Sequence, residues 1–254
     1  MSCRHYLWII ITICFNCTLF FQRNEFEKGL HYYTEGNLTE ASHYFSAYYS
    51  EHPESDTTLY YLYDCYNKLH QHEKKVAVLE QFAKLGSKNE NVYLNLFHYY
   101  QKNAQYYALY KLLAGLQPLM RDKLDKHYVV TRKLYAEIVS GAFNISGRSD
   151  PMVFAVSHGY LPLFPDNKFY DEDTITQGNL IMLLDRLVAP SYPEKFYTMR
   201  YISSHSFLYL PYMRLVDLGV LEFNSELNPA DNAHISTVVL ACAHLKKDRL
   251  REPR

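Results

Sequence analysis

Between residues 24 and 116 the apolar positions fall at helical spacing and then recur. Tyr32, Tyr66 and Tyr100 lie 34 residues apart, as do Gly29, Tyr63 and Phe97. Leu59 and Tyr93 keep the same interval, and so do Leu62 and Leu96. In the first period, Phe26, Gly29 and Tyr32 mark one helix face, and Gly36-Asn37 ends it with residue types that tolerate a left-handed C-cap. Thr39-x-x-Ser42 signals the start of a second helix, whose Ala41, Phe45 and Tyr48 share a face before Pro53 closes it. The second period, Asp56 to Asn89, carries Leu59, Leu62, Tyr63, Tyr66, Leu69 and Leu79. Lys75 stands in the place of Ala41; a one-residue slip onto Val76 or Ala77 repairs the face, and Gly86-Ser87 ends the unit. The third period, Glu90 to Leu116, carries Tyr93, Leu96, Phe97, Tyr100, Ala104 and Leu113, with Pro118 after it. Leu124, Tyr128, Tyr135 and Ile138 then form a stripe that predicts a capping helix over 121–139. Such a period belongs to helix–turn–helix units that bury a continuous core only when stacked, with about three needed for stability.

Ser140 to Asp150 is rich in glycine and serine and reads as a linker. Beyond it a different pattern begins. Gly159-Tyr160-Leu161 and Gly219-Val220-Leu221 each follow an apolar helix, and each glycine is followed 17 residues later by Thr176 or Ser236. The glycines read as C-caps and the hydroxyl residues as N-caps of new helices, Leu180 to Leu187 and Val238 to Leu245.

Two resemblances follow. Gly29, Tyr32, Gly36, Ala41, Phe45 and Pro53 fall, in order, at signature positions of the tetratricopeptide repeat. That resemblance implies a right-handed superhelix with a concave groove lined by the first helix of each pair. Its groove positions here are Phe26, Leu30 and Tyr33, then Tyr60, Asp64 and Asn67, then Leu94, His98 and Gln101. They make an aromatic and polar groove suited to a protein or peptide. They lack the paired basic side chains of the subfamily that clamps a C-terminal carboxylate.

The later part resembles the S-layer homology module, twice. One copy carries Phe164-Pro165-Asp166-Asn167-x-Phe169 and Ile175-Thr176, and the other runs from Phe207 to Lys247 with Leu227-Asn228-Pro229. The resemblance implies anchoring on cell-wall polysaccharide through an arginine in a Thr-Arg-Ala-Glu motif. Here the motif reads Thr176-Gln177-Gly178-Asn179 and Ser236-Thr237-Val238-Val239, without the arginines or the capping glutamates. The family commonly presents three modules, and two are visible.

At the N-terminus, Arg4 precedes an almost wholly apolar run from Tyr6 to Phe21, closed by Arg23. Sixteen residues suit an export-signal core better than a spanning helix of about 20. Residues 1–23 are thus expected to be a signal peptide or a membrane anchor, with Cys17, or Cys14, as a candidate lipid-attachment site. The chain is then exported to the bacterial cell envelope, periplasmic or anchored on the extracytoplasmic side.

Composition changes this picture little. Net charge is −1, which provides no field for nucleic acid, and the basic tail from Lys246 to Arg254 reads as a solvated end. Cys14 and Cys17 have C-x-x-C spacing inside the N-terminal apolar run, but no second Cys or His pair at ligand spacing completes a zinc site, and Cys65 and Cys242 sit in apolar helices. From Asp166, the sixth and twelfth places of a calcium loop would hold Asp171 and Gln177 rather than glycine and glutamate. Ser204-His205-Ser206 has no acid or oxyanion donor placed beside it. We therefore expect an all-α protein that is not an enzyme and needs no metal or cofactor. The expected parts are residues 24–140, a repeat solenoid with its capping helix, and 149–254, a smaller S-layer-homology-like domain. The expected role is a scaffold holding a protein partner in the groove, with wall or membrane components met by the C-terminal modules. The alternative is an envelope assembly subunit whose modules form a protein interface without glycan binding.

Overall fold

The computed structural model describes residues 25–144 and 149–247. The apolar segment 1–23, with Cys17, and residues 248–254 of the basic tail lie outside the described residues. Among the described residues there are twelve helices and no strand, so the chain is an all-α helical repeat. No described helix is long and apolar enough to cross a membrane. The helices are α1 (25–34), α2 (Leu38–Glu51), α3 (Asp56–Lys68), α4 (His72–Lys84), α5 (Glu90–Lys102) and α6 (Tyr106–Ala114). They continue as α7 (Pro118–His127), α8 (Arg132–Phe143), α9 (Pro151–Ser157), α10 (Gln177–Asp185), α11 (Tyr209–Asp217) and α12 (Ile235–Lys247). The chain divides into two compact units, one ending at Leu96 and the other beginning at Phe97.

The 34-residue period is a property of the backbone. Gly36, His70 and Ala104, one period apart, have φ of 79°, 55° and 53°. The next amides, of Asn37, Gln71 and Gln105, donate to the carbonyls of Tyr32, Tyr66 and Tyr100 at 2.9, 2.9 and 2.8 Å. The amides of Gly36, His70 and Ala104 themselves donate to Tyr33, Asn67 and Gln101 at 3.1, 3.2 and 3.2 Å. This is one Schellman turn made three times, using up the terminal carbonyls of α1, α3 and α5. Only the first copy has glycine, which accepts the left-handed conformation without a Cβ penalty.

In the first unit, Ala41, Phe45, Leu59, Leu62, Cys65, Tyr66 and Val78 form the core. Burying Phe45 alone contributes about 2–3 kcal/mol. A Cβ on Gly29 would lie 2.8 Å from the Phe45 ring, so glycine lets α1 rest on that ring. α2 begins at Leu38, one residue before the Thr39 signal, because Asn37 accepts from the Glu40 amide as N-cap. The slip in α4 falls on Val76, which is buried, while Ala77 is exposed and Leu79 keeps the repeat register.

The second unit corrects two expectations. The stripe over 121–139 is two helices, α7 and α8, broken at Tyr128–Thr131, where extended backbone leads to a Thr131 N-cap. The linker reading also fails over 140–143, since Ser140, Gly141 and Ala142 are buried in α8. α8 packs on α6, α9 and α12. Gly141 crosses α6 so closely that an added Cβ would lie 2.0 Å from the Tyr106 carbonyl oxygen.

Beyond Thr131 a second three-fold pattern appears. Each of α8, α10 and α12 starts two residues after a buried apolar residue: Val130, Ile175 and Ala233. The Ile175 amide donates to the Val130 carbonyl at 2.8 Å, and the Ala233 amide donates to the Ile175 carbonyl at 2.9 Å. The Arg132 and Lys133 amides donate to Asp173 and Asp171, both at 2.9 Å. One step on, the Gln177 and Gly178 amides donate to Asp231 and Pro229 at 2.7 and 2.9 Å. Each loop thus satisfies the orphan amides of the helix one module earlier. At α12, among the described residues, Asp125 of α7 takes this place and accepts from the Ser236 amide at 3.0 Å and from the Ser236 hydroxyl. Ser236 is therefore held inside the first turn of α12 and is not its N-cap. The expected C-caps at Gly159 and Gly219 have φ of 74° and 71°. The capping box at Thr176, expected to be missing for want of glutamate, is completed by the Asn179 side chain.

Candidate functional site

The candidate groove residues of the first unit fall into two groups. Phe26 and Leu30 are half-buried against the core, and Phe26 packs on Phe45, Tyr48 and Tyr61 with ring centroids 5.5, 5.3 and 6.0 Å away. Tyr33 and Asp64 meet: the Tyr33 hydroxyl donates to Asp64 Oδ2 at 2.6 Å. Lys68, four residues after Asp64 on α3, completes the cluster with Nζ 2.6 Å from Asp64 Oδ2 and 3.2 Å from the Tyr33 hydroxyl. Burial acts to raise the Asp64 carboxyl, but hydrogen bonds from Lys68 and Tyr33 outweigh it and hold the group below its ordinary pKa. The bond to Asp64 lifts the Tyr33 hydroxyl above its usual value. Tyr60 is 60% exposed beside this cluster on α3, and Asn67 accepts from Lys75 Nζ at 3.3 Å. Leu94 on α5 is half-buried. Lys68 and Lys75 were not read as groove residues; the i, i+4 spacing of Asp64 and Lys68 was the available signal.

In the second unit, His98 and Gln101 each have a partner. His98 Nε2 is 2.8 Å from the Tyr128 hydroxyl. Gln101 Nε2 donates to Glu137 Oε2 at 2.7 Å. Glu137 is buried on α8, and burial raises its pKa. Gln101, Glu137, Tyr128 and Glu172 line a pocket of about 360 Å³. No sequence signal marked Glu137, because a glutamate within a helical stripe reads as a surface residue.

A larger pocket, about 600 Å³, lies between the loop after α11 and α12. Glu222, Asn224, Glu226, Asn228, Asp231 and His234 contribute to its wall, and among the described residues no lysine or arginine does. Beside the second loop of the three-fold pattern, Arg132 is 8% exposed. Its Nε and Nη2 donate to the carbonyls of Phe169 and Pro162 at 2.7 and 2.5 Å, and its guanidinium lies 4.5 Å from the Phe164 ring centroid. In backbone hydrogen bonding, Val130-Thr131-Arg132 is the counterpart of Ile175-Thr176-Gln177 and marks a third helix start, with its arginine engaged by the carbonyls of Phe169 and Pro162.

Cys65 and Cys242 are free and buried, and burial pushes their thiols to about 11 and about 12. Among the described residues no three His, Cys, Asp or Glu side chains are grouped to hold a metal ion.

These features define an all-α helical repeat, and its first part is similar to tetratricopeptide repeats, an architecture that generally mediates protein–protein contact and is typically non-catalytic. Residues 21–119 match the family model described as "Psidin, N-terminal TPR repeats region". No curated protein matches the chain.

Proposed function

We propose that this chain is a non-enzymatic scaffold of the bacterial cell envelope. Its N-terminal apolar segment exports or anchors it, its helical repeats hold a protein partner, and its C-terminal modules contact a wall or membrane component. The observation that carries the partner-holding role is the repeated turn at Gly36, His70 and Ala104, together with the repeat match over 21–119. The Tyr33–Asp64–Lys68 cluster beside exposed Tyr60 offers polar and aromatic groups on one helix pair. The run from Tyr6 to Phe21 supports export, and the three-fold pattern supports the S-layer homology resemblance.

A second reading is favoured by the state of the motif arginine. Gln177 replaces it in α10, Ile235 stands at the matching place in α12, and Arg132 is covered by carbonyls and Phe164. On that reading the modules are a protein interface of an envelope assembly and bind no glycan.

The test uses the full-length chain and a Tyr33→Ala, Tyr60→Ala variant, with helicity followed by circular dichroism. The variant should capture less partner from envelope extract at unchanged helicity. Equal capture by the folded variant removes the groove assignment. Co-sedimentation of the same chain with purified wall material separates the two readings of the C-terminal modules.

A further inference from the structure

The pocket between α5 and α8 contains a carboxylate that forms no close ion pair among the described residues. Glu137 is 2% exposed, and its hydrogen bond comes from a neutral donor, the Gln101 amide. Burial raises its pKa; Gln101 and Lys133 oppose the rise without cancelling it, and Glu172 and Asp150 add to it. Isolated buried charge is costly, and a protein interior retains it only where a partner compensates.

The pocket has the shape and chemistry for such a partner. Its volume, about 360 Å³, admits one large side chain. Phe97 and Tyr128, with ring centroids 4.6 Å apart, provide an apolar flank. With Gln101 Nε2 committed to Oε2, the pair retains acceptor capacity on Glu137 Oε1 and Gln101 Oε1, and Glu172 adds a second carboxylate to the wall. Lys102 and Lys133 also line the pocket, but both are exposed, and water screens their charge far more than that of the buried carboxylate. An aliphatic stem ending in a cation fits this combination.

We propose that this pocket takes a basic side chain, arginine or lysine, of the protein partner, with Glu137 as its counter-ion. The proposal rests on the partner-holding reading and narrows it to a segment carrying a basic residue.

The experiment titrates isotope-labelled full-length chain, in a neutral detergent, with Nα-acetyl-arginine amide and with its uncharged citrulline analogue. The Gln101 side-chain amide is followed by NMR. The arginine probe should give saturable shifts, and the citrulline probe should bind weaker by on the order of tenfold. Glu137→Gln keeps the side-chain volume and removes a buried charge, so it should fold and lose binding by a similar factor. Glu172→Gln, at an exposed position, should lose about threefold. Equal response to the two probes, an unchanged Glu137→Gln, or no response at all overturns the proposal. Tyr33 and Tyr60 lie outside this pocket, so partner capture by their variant reports on the broader reading independently.

Discussion

The turns at Gly36, His70 and Ala104 and the helix starts after Val130, Ile175 and Ala233 are both three-fold repeats, but they are held by different partners. In the first set every hydrogen bond joins residues three to five positions apart. The same backbone must therefore be built by the same short stretch each time, and the side chains around it recur at a fixed interval. In the second set each helix start is closed by a loop some 40 to 60 residues later, or by Asp125 more than a hundred residues earlier. Nothing requires the spacing between those partners to be constant. Gly159 and Gly219 are 60 apart, while Ile175 and Ala233 are 58 apart, so the loop has lost two residues without losing its contacts. A local repeat preserves its period; a repeat closed by tertiary contacts preserves its geometry.

This comparison can be broken most severely at the close helix crossings. Gly141→Ala sets a Cβ against a backbone carbonyl at 2.0 Å, which cannot swing aside, and should cost roughly 3 kcal/mol or more in denaturant unfolding. Gly29→Ala meets the flexible edge of the Phe45 ring at 2.8 Å and should cost about half as much. If the two losses are equal, the crossing at Tyr106 is looser than its geometry implies.

Next in size is the covered arginine. Arg132→Met keeps the stem but orphans the carbonyls of Phe169 and Pro162, for an expected loss of about 2 kcal/mol in thermal or urea unfolding. A neutral result would show that water replaces the guanidinium there. Asp125→Ala removes the side chain that closes α12, and a loss of about 1 kcal/mol is expected, the ordinary value of a helix cap. Hydrogen exchange should then speed in the first turn of α12 and leave the turns of the first unit unchanged.

The local repeat can be sharpened rather than broken. His70 and Ala104 hold a left-handed conformation that favours glycine, and replacing either with glycine should gain about 1 kcal/mol. A loss would mean that their side chains make contacts outweighing the backbone strain.

The smallest effects concern pH. Asp64 has a folded pKa below its ordinary value, so its contribution is complete above the unfolded value, about 4, and is lost as pH falls through the folded one. Asp64→Asn should flatten the acid limb of the stability curve. Glu137 has the opposite sign: its folded pKa is raised, so its charge destabilises at neutral pH and the penalty fades as pH falls toward about 4. Glu137→Gln should raise the melting temperature at pH 7 and lose that advantage near pH 4. A pH-independent difference would show that packing, and not charge, separates the two chains.

The candidate site was legible to the extent that it is local. Tyr33, Asp64 and Asn67 are groove positions that the tetratricopeptide resemblance implies, and the structure joins Tyr33 to Asp64. Lys68 could have been added from its spacing. Glu137 could not, because its burial depends on α5 and α8 meeting, and neither helix carries a mark of the other. Arg132 was overlooked for a related reason: Val130-Thr131-Arg132 falls inside an apolar stripe that reads as one continuous helix. The break at Tyr128–Thr131 became visible only with the hydrogen bonds from Arg132 and Lys133 to the loop beyond.

The sequence by itself determined that this chain is helical, that residues 24–116 repeat every 34, and where glycines would turn the backbone. Those features rest on helix periodicity and on the steric freedom of single residues, both of which act over a few positions. Tertiary structure alone decided that α8 begins a third module, that Asp125 closes the last one, and that a glutamate is buried facing a neutral amide. Each of these depends on which orphan amide, carbonyl or charge meets which distant partner, and chain spacing does not encode that choice.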